Sequence, residues 1–401
     1  MNNRVLDKYQ QLFASWFGVE QAFAFWKGRV ALYAILKALG VGEGDEVVLP
    51  GYTCVMAVNP IKYLGAKPVY IDIDPVTYNI DPALIENRLT GRTKVIIAQH
   101  SYGYPADMGA ITEIADRNNL PVVEDCCLAF GSMYKGKTVG TFGIAAYFSF
   151  QWNKPYTSGL GGMAITGDRD MAAKIDTFYH QELCQPSRHQ VIMLAAQLAV
   201  YRALVYPETT VFLQNIFRWL TNKGLVVGSS SDVEYTLTMA DDFFMGMSKL
   251  QARTGLQQLQ EVEANITHRR QMKRIYDELL TERDWPTPGI PDDMDPVLVR
   301  YPVRVADKSL ALATAAKHFI ELGSWFECPL HPITTPMEKF GYHTGECPEA
   351  ERASRQVVNL PMHSRANAMT AERSVEFIVG IGPAGSNPHY SLGAVRRKSE
   401  T

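Results

Sequence analysis

The chain has 401 residues, 46% of them hydrophobic, so a large core is available and disorder is not the expectation. A net charge of −3 and an isoelectric point near 6.3 give a nucleic-acid partner no bulk electrostatic support. Six scattered cysteines form neither a disulfide framework nor a paired CxxC zinc spacing, and no uninterrupted apolar run of about 18 residues is present to span a membrane. A reducing cytosol fits this usage, no metal is expected, and the amphipathic N-terminal stretch MNNRVLDKYQQLFASWF does not read as a signal peptide.

In chain order, residues 29–39 (RVALYAILKAL) predict a helix ended by Gly40, and GEGDEVVLP a turn and then a short buried strand. Val55–Leu64 predicts a helix, Pro68–Ile73 a strand, Pro82–Leu89 a helix and Lys94–Gln99 an apolar strand. Met108–Asn118 reads as a helix, and Pro121–Glu124 leads into another buried strand. Ala145–Phe150 and Met163–Thr166 are strand candidates on either side of a glycine-rich loop. Strands alternating with helices of about ten residues argue for an α/β chain with βαβ units and a mostly parallel sheet. Runs such as VVLP and VIIA suit burial on both faces. Residues 248–282 form a long polar helical stretch, and from Val299 to near Ile381 the mixed pattern predicts a smaller α+β domain. The expected division is a large domain over 1–260, a small one over 261–385 and a tail over 386–401, whose Gly, Pro, Ser and Arg content predicts mobility.

Four features fall in one order: Gly28-Arg29 at a helix start, Glu124-Asp125 at a strand end, Ser149-Phe150 at another, and Lys154 in a loop running on to Gly159, Gly161 and Gly162. A helix N-terminus offers unpaired amides and a positive dipole end, so the turn at Gly28 can hold a phosphate. A carboxylate at the C-terminal end of a parallel strand sits where open α/β sheets bind ligands. Asp125 there could keep a pyridine nitrogen protonated, Ser149 could add a hydroxyl to the phosphate, and Lys154 could form a Schiff base with a carbonyl cofactor. Taken singly, each has a plain structural reading. A lone loop lysine is ordinarily solvated surface, Asp125 could cap the next helix, Gly28 could be a simple helix-start glycine, and GLGG is usually a turn. The order and spacing together carry the signal.

The stretches GDEVVLPGYT, YLGAKPVYIDIDPVTYNIDPALIE, TKVIIAQHSYGYPADM, VVEDCCLAFGSMYKGKTVGTFG and FSFQWNK closely resemble the DegT/DnrJ/EryC1/StrS sugar aminotransferases. The resemblance runs from about residue 26 to 168 and returns at MSKLQARTGLQQLQEVEANITHRRQMKRIYDELL, CPLHP and PEAERASRQVVNLPMH. It implies the aspartate-aminotransferase fold (fold type I), with helices on both faces of the sheet, and pyridoxal 5'-phosphate as cofactor. By the family pattern Lys154 bonds the cofactor and is the catalytic residue, Asp125, 29 residues earlier, pairs with the pyridine nitrogen, and Ser149 binds phosphate. The phosphate turn, S-G-T-A-A-L in the family, is here Lys27-Gly28-Arg29-Val30-Ala31-Leu32.

Four positions depart from that pattern. Arg29 replaces the phosphate-turn hydroxyl, and its guanidinium could reach the phosphate instead. Cys54 stands where an aromatic stacks on the cofactor, with Tyr52 as a substitute ring. Leu128 replaces the Gln or His that contacts the ring oxygen, and Phe244-Met245-Gly246 replaces the N-Y-R that reaches the neighbouring subunit of a homodimer. The chain also carries an insertion, about 185–225, whose core QVIMLAAQLAVYRALVYPETTVFLQNIFRWLTNKG is apolar, with Arg202, Arg218 and Lys223 spaced along it and Pro207 expected to split it into two helices. The preferred reading is a buried hairpin or subunit contact, and the alternative is a surface docking on a membrane or a lipid-linked substrate. The expected function is transfer of an amino group, from glutamate, to a nucleotide-linked keto-sugar. The alternatives are a dehydratase of the same family, which Lys154 opposes because such members carry histidine there, and a non-catalytic regulatory member.

Overall fold

The computed structural model describes residues 4–152, 154–204, 232–333, 336–385 and 390–391. Its centre is a seven-stranded sheet of β1 (Gln21–Phe25), β2 (Glu46–Pro50), β3 (Lys67–Ile71), β4 (Thr93–Gln99), β5 (Val122–Asp125), β6 (Ala145–Ser149) and β7 (Gly162–Thr166). Their spatial order is β1-β7-β6-β5-β4-β2-β3. Strands β3, β2, β4, β5 and β6 run parallel, whereas β7 runs antiparallel to both β6 and β1. The reversal follows from the link between β6 and β7, a loop with no crossover helix, so the chain returns in the opposite direction. The sequence pattern left β1 unassigned, because QAFAF is short and buried at four of its five positions, with no alternation to read.

The helices that surround the sheet are α1 (Arg4–Phe17), α2 (Gly28–Ala38), α3 (Val55–Tyr63), α4 (Met108–Arg117), α5 (Arg169–Gln181), α6 (Arg188–Leu204) and α7 (Lys249–Thr281). Alternation along the strands sends side chains to two faces. Val47, Ile97, Val123 and Tyr147 enter one core with α2, α3 and α5, and Val48, Ile96, Val122 and Phe148 enter the other with α1 and α4. Helix starts are set by local chemistry: Asp107 accepts from Ala110 N at 3.0 Å, Asp168 from Met171 N at 2.8 Å, and Ser248 and Gln251 form a reciprocal capping box.

Helix α7 packs its first half on α1, where a Cβ at Gly255 would lie 2.5 Å from Tyr9 Cζ. Its second half, through Met272, Tyr276 and Leu280, joins the core of the C-terminal part. A division at residue 260 therefore falls within one uninterrupted helix. The C-terminal part pairs β8 (Tyr301–Arg304) antiparallel with β9 (Val357–Leu360) and adds α8 (Lys308–Lys317), α9 (Pro348–Gln356) and α10 (Ala368–Ile381). It is tied back to the large sheet region where Thr53–Cys54 pairs in parallel with Leu330–His331.

Of the insertion, α6 is described. Leu194 and Leu198 pack with Trp26, Leu160 and Met245, while Ile192 and Val200 are 67% and 51% exposed. Pro207, Arg218 and Lys223 lie outside the described residues. So does most of the tail, although Tyr390–Ser391 pairs with Thr287–Pro288. Among the described residues no helix is long and apolar enough to cross a membrane.

On the α1 face, the fully buried Glu124 accepts from the amides of Gly140 (2.6 Å), Phe142 (2.7 Å) and Gly143 (2.8 Å). His100 Nδ1 accepts from Ala106 N at 2.9 Å, so its Nε2 carries the proton that it donates to Glu124 at 3.1 Å. These partners occupy both carboxylate oxygens, and burial pushes the thiol of the adjoining Cys126 well up, so the trio His100–Glu124–Cys126 is a structural lock. Glu124→Ala should lower unfolding free energy by about 3–5 kcal/mol, because it leaves several buried donors without an acceptor. Urea denaturation reads this, and a midpoint equal to the parent's would refute it.

Candidate active site

The sheet brings the ends of β4, β5 and β6 side by side, with Gln99 opposite Asp125 and Asp125 opposite Tyr147. Asp125 lies two residues beyond Val123, so it continues the face that carries α2. Its Oδ2 accepts from Tyr147 Oη at 2.5 Å and its Oδ1 from Cys127 N at 2.9 Å, which fixes the carboxylate. Ser149, half-buried, ends β6 on the same face. Gly28 is pressed against it. A Cβ at Gly28 would lie 2.9 Å from Phe148 O and 3.0 Å from Ser149 Cβ, and one at Gly162 would lie 2.5 Å from Gly28 Cα. Two glycines thus let a helix N-terminus meet a strand end with no side chain between them.

Helices α2 and α3 both begin here, and their N-cap residues, Lys27 and Cys54, supply no side-chain cap. Such starts leave amides and the positive dipole end for an anion. Two expectations are corrected. Val30 N donates to Lys27 O at 3.2 Å, which takes that amide out of the anion site. The Arg29 guanidinium is not directed at a phosphate: it forms a buried ion pair with Glu234, in the turn Asp232–Thr236 that follows the insertion. A carboxylate in a site shielded from water holds the guanidinium more strongly than solvent does. Asn59 Nδ2 secures the same turn by donating to Glu234 O at 2.9 Å.

Lys154 is half-buried in the loop after β6, where its backbone N donates to Gln151 O at 2.9 Å. Gly159, at φ +84°, lets α6 lie on this loop, since a Cβ there would meet Leu198 and Leu194 at 3.1 and 3.2 Å. Burial raises the thiol pKa of both Cys54 and Cys127, and on each the charges of Asp125 and Lys154 act in opposite directions. The charges of Asp125 and Lys154 thus both act on Cys54 at the start of α3.

Tyr52 is elsewhere. Its hydroxyl shares a 2.8 Å hydrogen bond with Tyr102 and accepts from Phe326 N at 3.3 Å, and its ring meets Phe326 edge-on at 4.9 Å. That packing belongs to the seam between the two parts of the chain, so the ring is not available to stack on a cofactor. Leu128 is buried in the core on the α2 side and offers only carbon.

Sequence reasoning missed Tyr147, Trp325 and His331. Tyr147 sits on a strand face that alternation could have indicated. His331 lies within the CPLHP stretch, where its pattern matched the family but suggested no role. Trp325 carries no local signal; pairing of Leu330–His331 with Thr53–Cys54 delivers it, and Lys154 Nζ sits 5.0 Å from its ring centroid. Burial, opposed by Glu327 and reinforced by Lys308, Lys154 and Arg300, pushes the His331 pKa down to about 4, so the imidazole beside Lys154 is neutral near pH 7.

Residues 2–196 and 212–379 match the model of the DegT/DnrJ/EryC1/StrS aminotransferase family. The chain belongs to this family. It is similar to the GDP-perosamine synthase of Escherichia coli O157:H7, at 46% identity over 166 residues, 41% of this chain and 46% of that relative. It is also similar to the UDP-2-acetamido-2-deoxy-3-oxo-D-glucuronate aminotransferase of Pseudomonas aeruginosa, at 31% identity over 351 residues, 87% of this chain and 83% of that one. The match thus spans less than half the length of the GDP-perosamine synthases. In three dimensions the chain resembles the aminotransferase TlmJ from Streptoalloteichus hindustanus, with a TM-score of 0.71 and 25% identity over 94% of this chain and 89% of that one.

Pyridoxal phosphate is the cofactor of the DegT/DnrJ/EryC1/StrS family, and the residues here fit it. A primary amine and a carboxylate flank one space, and beside it the uncapped start of α2 is closed by glycines whose Cβ atoms would collide with backbone.

The depressed pKa of His331 has a consequence for stability. Between about 4 and 6.5 the unfolded chain takes up a proton at His331 that the folded chain does not, so stability falls as pH drops through that window. Urea midpoints of the parent should decline more steeply across it than those of His331→Gln, and parallel profiles would contradict the assignment.

Proposed function

We propose that the protein is a pyridoxal-phosphate aminotransferase that moves an amino group from glutamate to a nucleotide-linked keto-sugar. The observation that carries this reading is that Asp125 and Ser149 end neighbouring strands beside the uncapped, glycine-lined start of α2, with Lys154 in the loop that follows Ser149. The names of the two relatives support the substrate class: one is a GDP-perosamine synthase, and the other an aminotransferase of a UDP-linked keto-sugar acid.

When bound, the cofactor supplies a carbonyl for the amine and a ring that withdraws electrons from the reacting carbon. Lys154 Nζ would hold the cofactor through its amine and would serve as the group that takes up and returns the proton at the donor's α-carbon. The Asp125 carboxylate, held by Tyr147 and Cys127 N, would pair with the ring nitrogen and keep its charge. Gly28, Arg29 through its backbone, and Ser149 would hold the phosphate. Cys54 lines the site where the family places an aromatic ring. Trp325 covers the lysine and limits water there.

Purified protein should absorb in the visible, and borohydride should fix the cofactor mass onto the peptide containing Lys154. Labelling of a different lysine would defeat this assignment.

The reading includes a homodimer, with α6 packed inside the assembly rather than on a membrane. Leu194 and Leu198 already tie α6 to the lysine loop, and the exposed Ile192 and Val200 give it an apolar outer face for the partner subunit. Sedimentation velocity should give a dimer. A fully active monomer would rule this arrangement out.

A further inference from the structure

We propose that Tyr201, on the inserted helix α6, is a positioning residue for Lys154: its hydroxyl and ring together hold the loop that carries the lysine. This takes from the reading above only that Lys154 anchors the cofactor.

The contact is built on one face of α6. Leu194, Leu198 and Tyr201 recur at spacings of four and three, so they fall on one stripe of the helix. Leu194 and Leu198 are buried against the far end of the lysine loop, where a Cβ on Gly159 would meet them at 3.2 and 3.1 Å. Tyr201 reaches the near end. Its Oη donates to Trp152 O at 3.2 Å, and the two rings meet at 5.2 Å with a tilt of 48°. At that separation aromatic pairs attract beyond what their buried area supplies. Trp152 precedes Lys154 by two residues. The bond from Lys154 N to Gln151 O closes this turn from within, and Tyr201 fastens it from outside.

Tyr201 stands where the two parts of the chain meet. Burial raises its pKa, and the charges of Arg365, Arg269 and Arg300 act against that rise. Arg365 Nη2 donates to Arg202 O at 3.3 Å, so the next residue of α6 is held by the C-terminal part. Helix α6 thus ties the lysine loop to the part of the chain that delivers Trp325, whose ring centroid lies 5.0 Å from Lys154 Nζ. The turn that follows the insertion is fastened as well, by Glu234 to Arg29 at the start of α2 and to Asn59 of α3. The chain on either side of the insertion therefore grips elements that build the site. A loop held in this way gives the amine one approach, and a misplacement of about 1 Å at a reacting group costs on the order of 100-fold in rate.

The experiment compares the parent, Tyr201→Phe and Tyr201→Ala as purified holoproteins. Three quantities are read: amide hydrogen exchange of a peptide spanning 150–161, the rate at which bound-cofactor absorbance is lost on dilution, and the half-reaction with L-glutamate. Tyr201→Phe keeps the ring and removes the donor, so its loop should exchange, and its cofactor leave, about 5-fold faster, the worth of one hydrogen bond. Tyr201→Ala removes both contacts and should show an increase of about 10–100-fold. In both variants the half-reaction rate constant should fall while the glutamate concentration for half-maximal rate stays as in the parent. Peptides from β4 and β5 should exchange as in the parent. Unchanged loop exchange in both variants would overturn the proposal, as would an increase shared equally by those strands or a loss expressed only in glutamate affinity. If borohydride fixes the cofactor on a different lysine, the assignment of Lys154 falls, yet faster loop exchange in Tyr201→Phe would still establish that Tyr201 holds the loop.

Discussion

Much of this structure depends on a carboxylate that takes no part in chemistry. Glu124 gathers the amides of Gly140, Phe142 and Gly143 and the imidazole of His100. It thereby ties the entry to β6 and the exit of β4 to the end of β5, the strand between them. The three strand ends then stay in register, and the next residue along, Asp125, is forced by alternation onto the opposite face. One buried hydrogen-bond network on the α1 side therefore sets the position of the Asp125 carboxylate on the α2 side. Such a network rigidifies when every donor and acceptor is met, which is the condition here.

The site is built from two sources that meet late in the chain. The large sheet contributes Asp125, Ser149, the α2 turn and Lys154. The C-terminal part contributes Trp325, His331 and Arg300, delivered by the short pairing of Thr53–Cys54 with Leu330–His331. Buried charge is distributed unevenly across it. Arg29 is neutralised by Glu234, and Glu321 is engaged by His363. Lys154 Nζ and Arg300 Cζ lie 5.0 and 4.9 Å from the centroid of the same Trp325 ring.

Some of this was legible in the residues. The parallel strands announced themselves because doubly buried strands are continuous apolar runs, and the helices between them because their apolar residues recur at helical spacing. Lys154, Asp125, Ser149 and Gly28 could be singled out because their spacing matches a family motif. Tyr52 shows the limit of that approach. A tyrosine beside the expected stacking position suggested a stacking ring, yet Tyr102 and Phe326, 50 and 274 residues away, claim its hydroxyl. Arg29 and Glu234, 205 residues apart, tell the same story.

The sequence by itself determined the fold class, because the order of strands and helices rests on periodicities of two and 3.6 residues, and through the family pattern that their spacing matches it singled out Lys154, Asp125 and Gly28 as site candidates. Tertiary structure alone decided which charges are paired and which are left over. Burial and ion pairing depend on segments far apart in the chain, and no local pattern encodes that Glu234 answers Arg29. It also decided that the amide of Val30 turns inward and that Trp325 covers Lys154, since both follow from how packed elements approach one another.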